Sequence, residues 1–296
     1  MSVLILQNGK NQTEPIFPIC DEQLRCELEK MNKNGKLIFY TYACRLIDPL
    51  FIVTTFTDRD TNNSMPFQMI LVECIPELEK TAKLTGQKEL KFLHVGMTEQ
   101  MPCDKCIERY GASFNVKCFY KHIQSHVQEF ALVSININVE KMEQEMFESL
   151  ELGLNSLLVN GVMILEVGSI FNRGVQNIIW KLVQLFEQVK LVKPHICSKS
   201  VDTKYIICCG YRHVKSFELP SISWYSYLNS LENDFTKKKN FFQRRACEIA
   251  KLLIAEATGV KIGNIDCCLR HLSNLCLQDE NLRKFATLYY QENKLY

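Results

Sequence analysis

The sequence contains no apolar run that approaches the ~18 residues a membrane-spanning helix needs, so we expect no membrane partner. It also has no excess of one charge, because 35 lysines and arginines balance 33 aspartates and glutamates to a formal net charge of +2. This balance excludes bulk electrostatic attraction to nucleic acid, so any such surface has to be local. Internal repeats and low-complexity segments are absent too, which argues against a solenoid.

Cysteine, in contrast, is abundant. The chain has 14 cysteines, and several lie inside apolar runs such as "YIICCGY". The opening "MSVLILQNGKNQ" has an apolar stretch too short for a signal-peptide core and no basic region before it. Buried thiols in a reducing compartment therefore fit better than a disulfide framework, and we expect an intracellular location.

One pair of cysteines has the spacing of a metal site. Cys103 and Cys106 form a C-x-x-C, and His122 and His126 follow. Zinc needs four ligands in tetrahedral geometry, which this spacing tolerates. Ordinary thiols on a short helix or loop are the favoured interpretation, so no metal is expected.

The N-terminal third has mixed patterns. Residues 20–31 and 69–86 have the apolar spacing of helices, and Gly86 marks the end of the second one. The stretch 36–58 is rich in aromatic and β-branched residues, which predicts extended structure. We assign residues 1–87 to an N-terminal extension packed on the core.

Strands and helices alternate after residue 88, which predicts βαβ units and a mostly parallel sheet. The predicted strands are 89–97, 115–120, 128–137, 162–168, 189–194 and 204–212, and the predicted helices are 140–161 and 174–188. The link "HICSKSVDT" before the last strand is too short for a helical crossover, so that strand is expected to be antiparallel to its neighbour. This α/β domain is assigned to residues 88–216, and residues 217–296 to a helical C-terminal appendage.

The segment from Leu150 to Tyr211 contains, in order, "LLVNG", "VMILE", "WKLVQLFEQVKLVKP", "SK" and "KYIICCGY". This order resembles the C-terminal half of the FtsJ-like ribose 2′-O-methyltransferases, and most of all the non-catalytic domain of the Adrift-type cap2 mRNA enzymes. The resemblance implies a Rossmann-like methyltransferase fold and an S-adenosylmethionine-dependent parent family. It also implies capped mRNA and a catalytic methyltransferase domain as partners, in the nucleus or cytoplasm.

Three positions depart from the chemistry that the resemblance implies. The family has an aspartate where this chain has Asn136, a lysine where it has Glu166, and a glutamate at or near Thr203. The glycines that follow the first strand of the family are replaced by "MTEQMPCDK". A non-catalytic module without bound S-adenosylmethionine is therefore expected. An active but divergent enzyme and a protein-interaction module without an RNA role are the alternatives.

Candidate RNA-binding residues come from two places. The dense basic run "TKKKNFFQRR" holds five cations beside two phenylalanines, which could contact phosphates and stack on bases. The end of the fifth predicted strand, 189–194, and the link that follows it add two lysines. The candidates are Lys237, Lys238, Lys239, Arg244, Arg245, Lys193 and Lys199. Solvated charges beside core phenylalanines are the alternative interpretation.

Overall fold

The computed structural model describes residues 2–5, 21–46, 65–86, 89–96, 115–120, 129–136, 143–194, 197, 202–212 and 217–258. The chain forms two compact units. The first comprises residues 1–17, 63–195 and 202–232, and the second comprises 18–62, 196–201 and 233–296. The division predicted from the sequence, with boundaries after residues 87 and 216, stays a prediction.

The described strands of the first unit form one seven-stranded sheet in a mixed α/β architecture. The strands are β1 (Ser2–Ile5), β2 (Glu89–Gly96), β3 (Asn115–Tyr120), β4 (Phe130–Asn136), β5 (Leu157–Val167), β6 (Phe186–Lys193) and β7 (Lys204–Tyr211). Their order across the sheet is β1-β6-β7-β5-β4-β2-β3. The pairs β2–β3, β2–β4 and β4–β5 are parallel, whereas β5–β7, β6–β7 and β1–β6 are antiparallel. The predicted parallel region and the antiparallel last strand are thus confirmed.

Three helices of the first unit lie in connections between strands, and a fourth follows the last described strand. They are α3 (Met65–Thr85), α4 (Glu143–Ser156), α5 (Arg173–Leu185) and the first turns of α6 (Ile222–Thr258). Helix α3 ends at Gly86, as predicted, and the φ of +66° there is one that glycine adopts without strain. Helix α5 begins after Asn172, whose Oδ1 accepts the backbone N–H of Gly174 at 2.6 Å.

The centre of the sheet is covered on both faces. Every residue of β7 is buried, and so are residues 161–165 of β5 and 130–135 of β4. The runs "VMIL" and "YIICC" are apolar without polar alternation, as strands with two covered faces are expected to be. No helix in the described part of the chain is long and apolar enough to cross a membrane.

The second unit contains α1 (Glu22–Lys33), α2 (Leu37–Leu46) and the remaining turns of α6. Its core joins residues of all three helices: Leu24, Met31, Phe39, Ala43, Cys44, Ala246, Cys247 and Ala250. The prediction of extended structure in 36–58 is wrong for residues 37–46. Phe39 and Ala43 share a helix face at a spacing of four, so burial in this core overrides the β-propensity of the aromatic residues.

Two helices end earlier in the structure than the sequence predicts. Helix α4 stops at Ser156 and not at residue 161, because Leu157 already pairs with Phe130 in the sheet. Helix α5 stops at Leu185 and not at residue 188, because Phe186 pairs with Tyr211 and their rings lie 5.3 Å apart. In both cases a β-ladder competes with the helical pattern for the same apolar residues.

The predicted helical C-terminal appendage contains one continuous helix, α6, over 37 residues. The basic run does not interrupt it, because Phe235, Phe242 and Ala246 keep one side packed through this region. The part of the predicted appendage after Thr258 lies outside the described residues.

Candidate functional site

The carboxyl ends of β2, β4 and β5 bring polar side chains into one row across the sheet. Gly96 pairs with Asn136, Asn136 pairs with Glu166, and Glu166 pairs with Tyr205 of β7. Neighbouring strands lie about 4.8 Å apart, so the Asn136, Glu166 and Tyr205 side chains stand next to one another on the same face. Two of the three positions predicted to be degenerate, Asn136 and Glu166, are therefore direct neighbours.

Glu166 is half-buried and not a fully solvated residue at a strand end. Burial raises the pKa of its carboxyl group above the ordinary 4.5, and a hydrogen bond from Tyr205 offsets part of that rise. The row thus presents an amide, a carboxyl and a phenol. None of the described residues that pair in this row is a lysine.

We expect Glu166→Gln to raise the free energy of unfolding at pH 7, since the amide keeps an acceptor for Tyr205 and carries no charge. Folding raises the pKa of the Glu166 carboxyl group. Its contribution to stability is fully present below pH 4.5, where it is protonated in both the folded and the unfolded state, and is lost as the pH rises through the pKa of the folded state. The gain should therefore vanish below about pH 4.5. Urea titrations of both proteins across this pH range measure it, and a gain independent of pH would contradict the assignment.

A second polar pair lies on β2 and β4, two residues before the row on each strand and on the same face of the sheet. The His94 Nδ1 and Ser134 Oγ atoms are 2.7 Å apart, and both side chains are buried. Burial lowers the pKa of His94 below 6.5, which favours the neutral ring at pH 7. The pair continues the polar strip from the strand ends into the sheet, and the sequence did not single it out because a histidine and a serine on different strands have no shared spacing.

Thr203, the third predicted position, is half-buried just before β7 and outside the paired row. The next residue carries the stronger feature. Lys204 is fully buried, and its Nζ donates to Glu232 Oε1 at 3.0 Å, to the Gly168 carbonyl at 3.0 Å and to the Asp202 carbonyl at 2.8 Å. Lys204 pairs with Val167 and therefore lies on the face opposite to Glu166. It cannot take the place of the lysine that the resemblance implies at position 166.

The basic run lies on the exposed side of α6, with one exception. Lys237, Lys238, Arg244 and Arg245 flank Phe241 at three and four residues on either side, whereas Lys239 lies on the side of Phe242 and Ala246, toward the core. Arg244 is held in place, because its Nε donates to Asp21 Oδ2 at 2.6 Å while Asp21 Oδ1 caps α1 at the backbone N–H of Leu24. The Arg244 bond also lowers the pKa of Asp21.

The other candidates divide between described and undescribed parts of the chain. Lys193 is the last residue of β6, opposite Ser2, and β6 runs in the same direction as β5, so Lys193 lies at the same sheet edge as Glu166. The remaining candidates, Lys199 and the possible zinc ligands Cys103, Cys106, His122 and His126, lie outside the described residues, as does the turn after β2.

Comparison with known proteins gives little. No family model matches the sequence, and no curated protein matches it. A solved structure described as "Alphavirus P23pro-zbd" aligns with a TM-score of 0.32 at 14% sequence identity, over 52% of this chain and 25% of that one. This chain thus spans about a quarter of the length of that structure. A similarity of this size supports no argument about function.

Proposed function

We propose that this chain is a non-catalytic module with a Rossmann-like methyltransferase fold, similar to the FtsJ-like domains of cap2 mRNA ribose 2′-O-methyltransferases. A parallel sheet that ends in an antiparallel hairpin supports the proposal, with β7 inserted between β5 and β6. Asn160 supports it too. The family has two glycines directly before the apolar stretch that "VMIL" matches, where this chain has Asn160 and Gly161. Asn160 has a φ of +63°, a conformation that glycine adopts freely and asparagine tolerates.

The observation that carries the non-catalytic part is the pairing of Asn136 with Glu166 at the strand ends. Methyl transfer to a ribose needs its 2′-hydroxyl oriented and the loss of its proton favoured, which the resemblance assigns to a lysine among carboxylates. A carboxyl group at position 166 opposes that loss, and an amide at position 136 brings no charge to hold a lysine. The described residues therefore do not fit the methyl-transfer reaction, and we derive no step through S-adenosylmethionine.

Without chemistry of its own, the module acts in cap methylation by binding. Its partners are capped mRNA, which it would hold, or a catalytic methyltransferase domain, which it would support. Its place of action is then the nucleus or cytoplasm, where mRNA is processed. This function needs a stable fold and an exposed recognition surface, and it tolerates the loss of the catalytic residues.

We expect calorimetry to detect no saturable binding of S-adenosylmethionine, and Glu166→Lys to transfer no methyl group to capped RNA above the rate of a protein-free blank. The new lysine would lack both a neighbouring aspartate and a bound donor, so orientation and reactant are both missing. The double variant Asn136→Asp/Glu166→Lys supplies an aspartate beside the new lysine, and it is therefore the matched control for the absence of that aspartate in Glu166→Lys. Micromolar binding of S-adenosylmethionine by the unaltered chain would favour the divergent-enzyme alternative.

A protein-interaction role without RNA is the second candidate, and one segment favours it. Phe217, Leu219 and Ile222 are 47%, 90% and 75% exposed. The Glu218 backbone between them is fixed on α5, because its carbonyl accepts Trp180 Nε1 at 2.6 Å and its N–H donates to Gln184 Oε1 at 2.7 Å. A chain that shows no salt-dependent RNA binding would favour this role over the first.

A further inference from the structure

We infer that the exposed side of α6 centred on Phe241 is a binding surface for single-stranded RNA, in which the phenyl ring stacks on a base and the cations around it contact the flanking phosphates. The inference rests on the proposed function only for the choice of RNA. The surface itself belongs to the second unit and is independent of the residues at the carboxyl edge of the sheet.

The arrangement around Phe241 follows from helical spacing. Lys237 and Lys238 precede it by four and three residues, and Arg244 and Arg245 follow it by three and four. Positions three and four apart are nearest neighbours on a helix, so the four cations surround the ring. With a rise of 1.5 Å per residue, the two basic pairs lie about 10 Å apart along the helix axis. Phe241 is 76% exposed, although Phe242 beside it packs against the core.

Acidic partners at the two ends of the surface do not block it. Lys237 Nζ lies 3.3 Å from Asp234 Oδ1, and Arg245 Nη1 lies 2.8 Å from Glu248 Oε2, and all four side chains are more than 60% exposed. Solvent screens exposed pairs of this kind so that they contribute little, and a phosphate can replace the carboxylate as partner. Arg244 is different, because its bond to the N-cap residue Asp21 ties it to the fold.

A single strand is the nucleic acid that this chemistry fits. An exposed aromatic ring can stack only on a base whose face is accessible, and a duplex keeps its base faces covered. The cations track the backbone and read no sequence, so the binding should be tolerant of sequence and sensitive to salt. Of the predicted RNA-binding residues in the basic run, Lys237, Lys238 and Arg245 are therefore assigned to the phosphate contacts. Lys239 is excluded, and Arg244 borders the ring but stays bound to Asp21.

The experiment measures fluorescence anisotropy of a labelled RNA strand of about 12 nucleotides, within the range of known single-strand site sizes, at salt concentrations from about 50 to about 200 mM. We expect Phe241→Ala to weaken binding about tenfold or more, and Phe241→Trp to restore it, because base stacking needs an aromatic face. The triple variant Lys237→Ala/Lys238→Ala/Arg245→Ala should reduce the log–log salt slope by about 2, at about 0.7 per phosphate contact.

Two matched controls come from the same chain. Lys239→Ala removes a charge of the same run from the core-facing side of α6, and should leave affinity and slope unchanged. Phe147→Ala removes another exposed ring, 44% exposed and beside the acidic Glu148 and Glu151 on α4, and should also have no effect. Wild-type affinity of Phe241→Ala, or equal affinity of the unaltered chain for a duplex of the same length, would overturn the inference. Neither outcome bears on the methyl-donor titration, which tests the proposed function separately.

Discussion

Glu232→Ala is expected to lower the free energy of unfolding by about 3–5 kcal/mol, the cost of removing one partner from a buried ion pair. Lys204 and Glu232 have 0% and 1% of their side chains exposed, and their Nζ and Oε1 atoms lie 3.0 Å apart. After the substitution, the ammonium group would keep the carbonyls of Gly168 and Asp202 but would lose its anionic partner. Neutral acceptors do not replace the solvation of a cation in a dry site.

A double variant separates the interaction from the loss of one partner. Lys204→Met/Glu232→Leu removes both charges and keeps apolar volume, so it should be close to wild type or more stable. Burial already raises the pKa of Glu232, and its Oε2 has no hydrogen-bond partner within the described residues, so the pair is imperfectly satisfied. Replacing both partners removes that defect as well.

The matched control is the exposed pair of Asp234 and Lys237 on the same helix. Asp234→Ala should cost ~0–1 kcal/mol, since solvent already screens this pair. Midpoints of urea unfolding at unchanged slope measure all three variants. A cost for Glu232→Ala no larger than that for Asp234→Ala would mean that Lys204 and Glu232 are hydrated in solution.

The sheet could be predicted from the sequence because its strands carry one-dimensional signals. The stretches "FALV" and "YIICC" within these strands are apolar without polar alternation, and the short link before Lys204 requires an antiparallel strand. The region from 37 to 46 could not be predicted in the same way. Its residues favour a strand locally, and the core shared with distant residues such as Ala246 and Cys247 makes a helix the better way to bury Phe39.

The candidate site was predictable in part for the same reason. Asn136 and Glu166 each end an apolar strand, and parallel neighbours place such residues at a common edge. Tyr205 and the burial of Lys204 were not predictable, since they depend on the register between β5 and β7 and on a helix that begins 18 residues after Lys204. The exposure of Phe241 was not predictable either. The sequence pattern alone does not show which of Phe241 and Phe242 faces the core.

Gly161→Ala is expected to lower the free energy of unfolding by about 1–3 kcal/mol, the range for forcing an extra methyl group into a packed site. A Cβ atom at Gly161 would lie 2.7 Å from the Leu158 carbonyl oxygen and 2.8 Å from Leu157 Cδ1. The carbonyl is backbone and cannot rotate away. It belongs to the irregular segment at which the register between β4 and β5 shifts, where Thr81 Oγ1 also donates to the Asn160 carbonyl at 2.8 Å.

Gly168→Ala, at the other end of β5, is the matched control, because a Cβ atom there meets no atom within 4 Å. This substitution should leave the free energy of unfolding unchanged or raise it by about 0.4–1 kcal/mol, since alanine restricts the unfolded chain more than glycine does. The two changes add the same methyl group, and only Gly161→Ala is expected to lower the free energy of unfolding. Urea midpoints for both variants test the contrast, and a Gly161→Ala protein as stable as Gly168→Ala would show that the segment before Val162 can move to accept a side chain. In that case the start of β5 does not fix the register that places Glu166 beside Asn136.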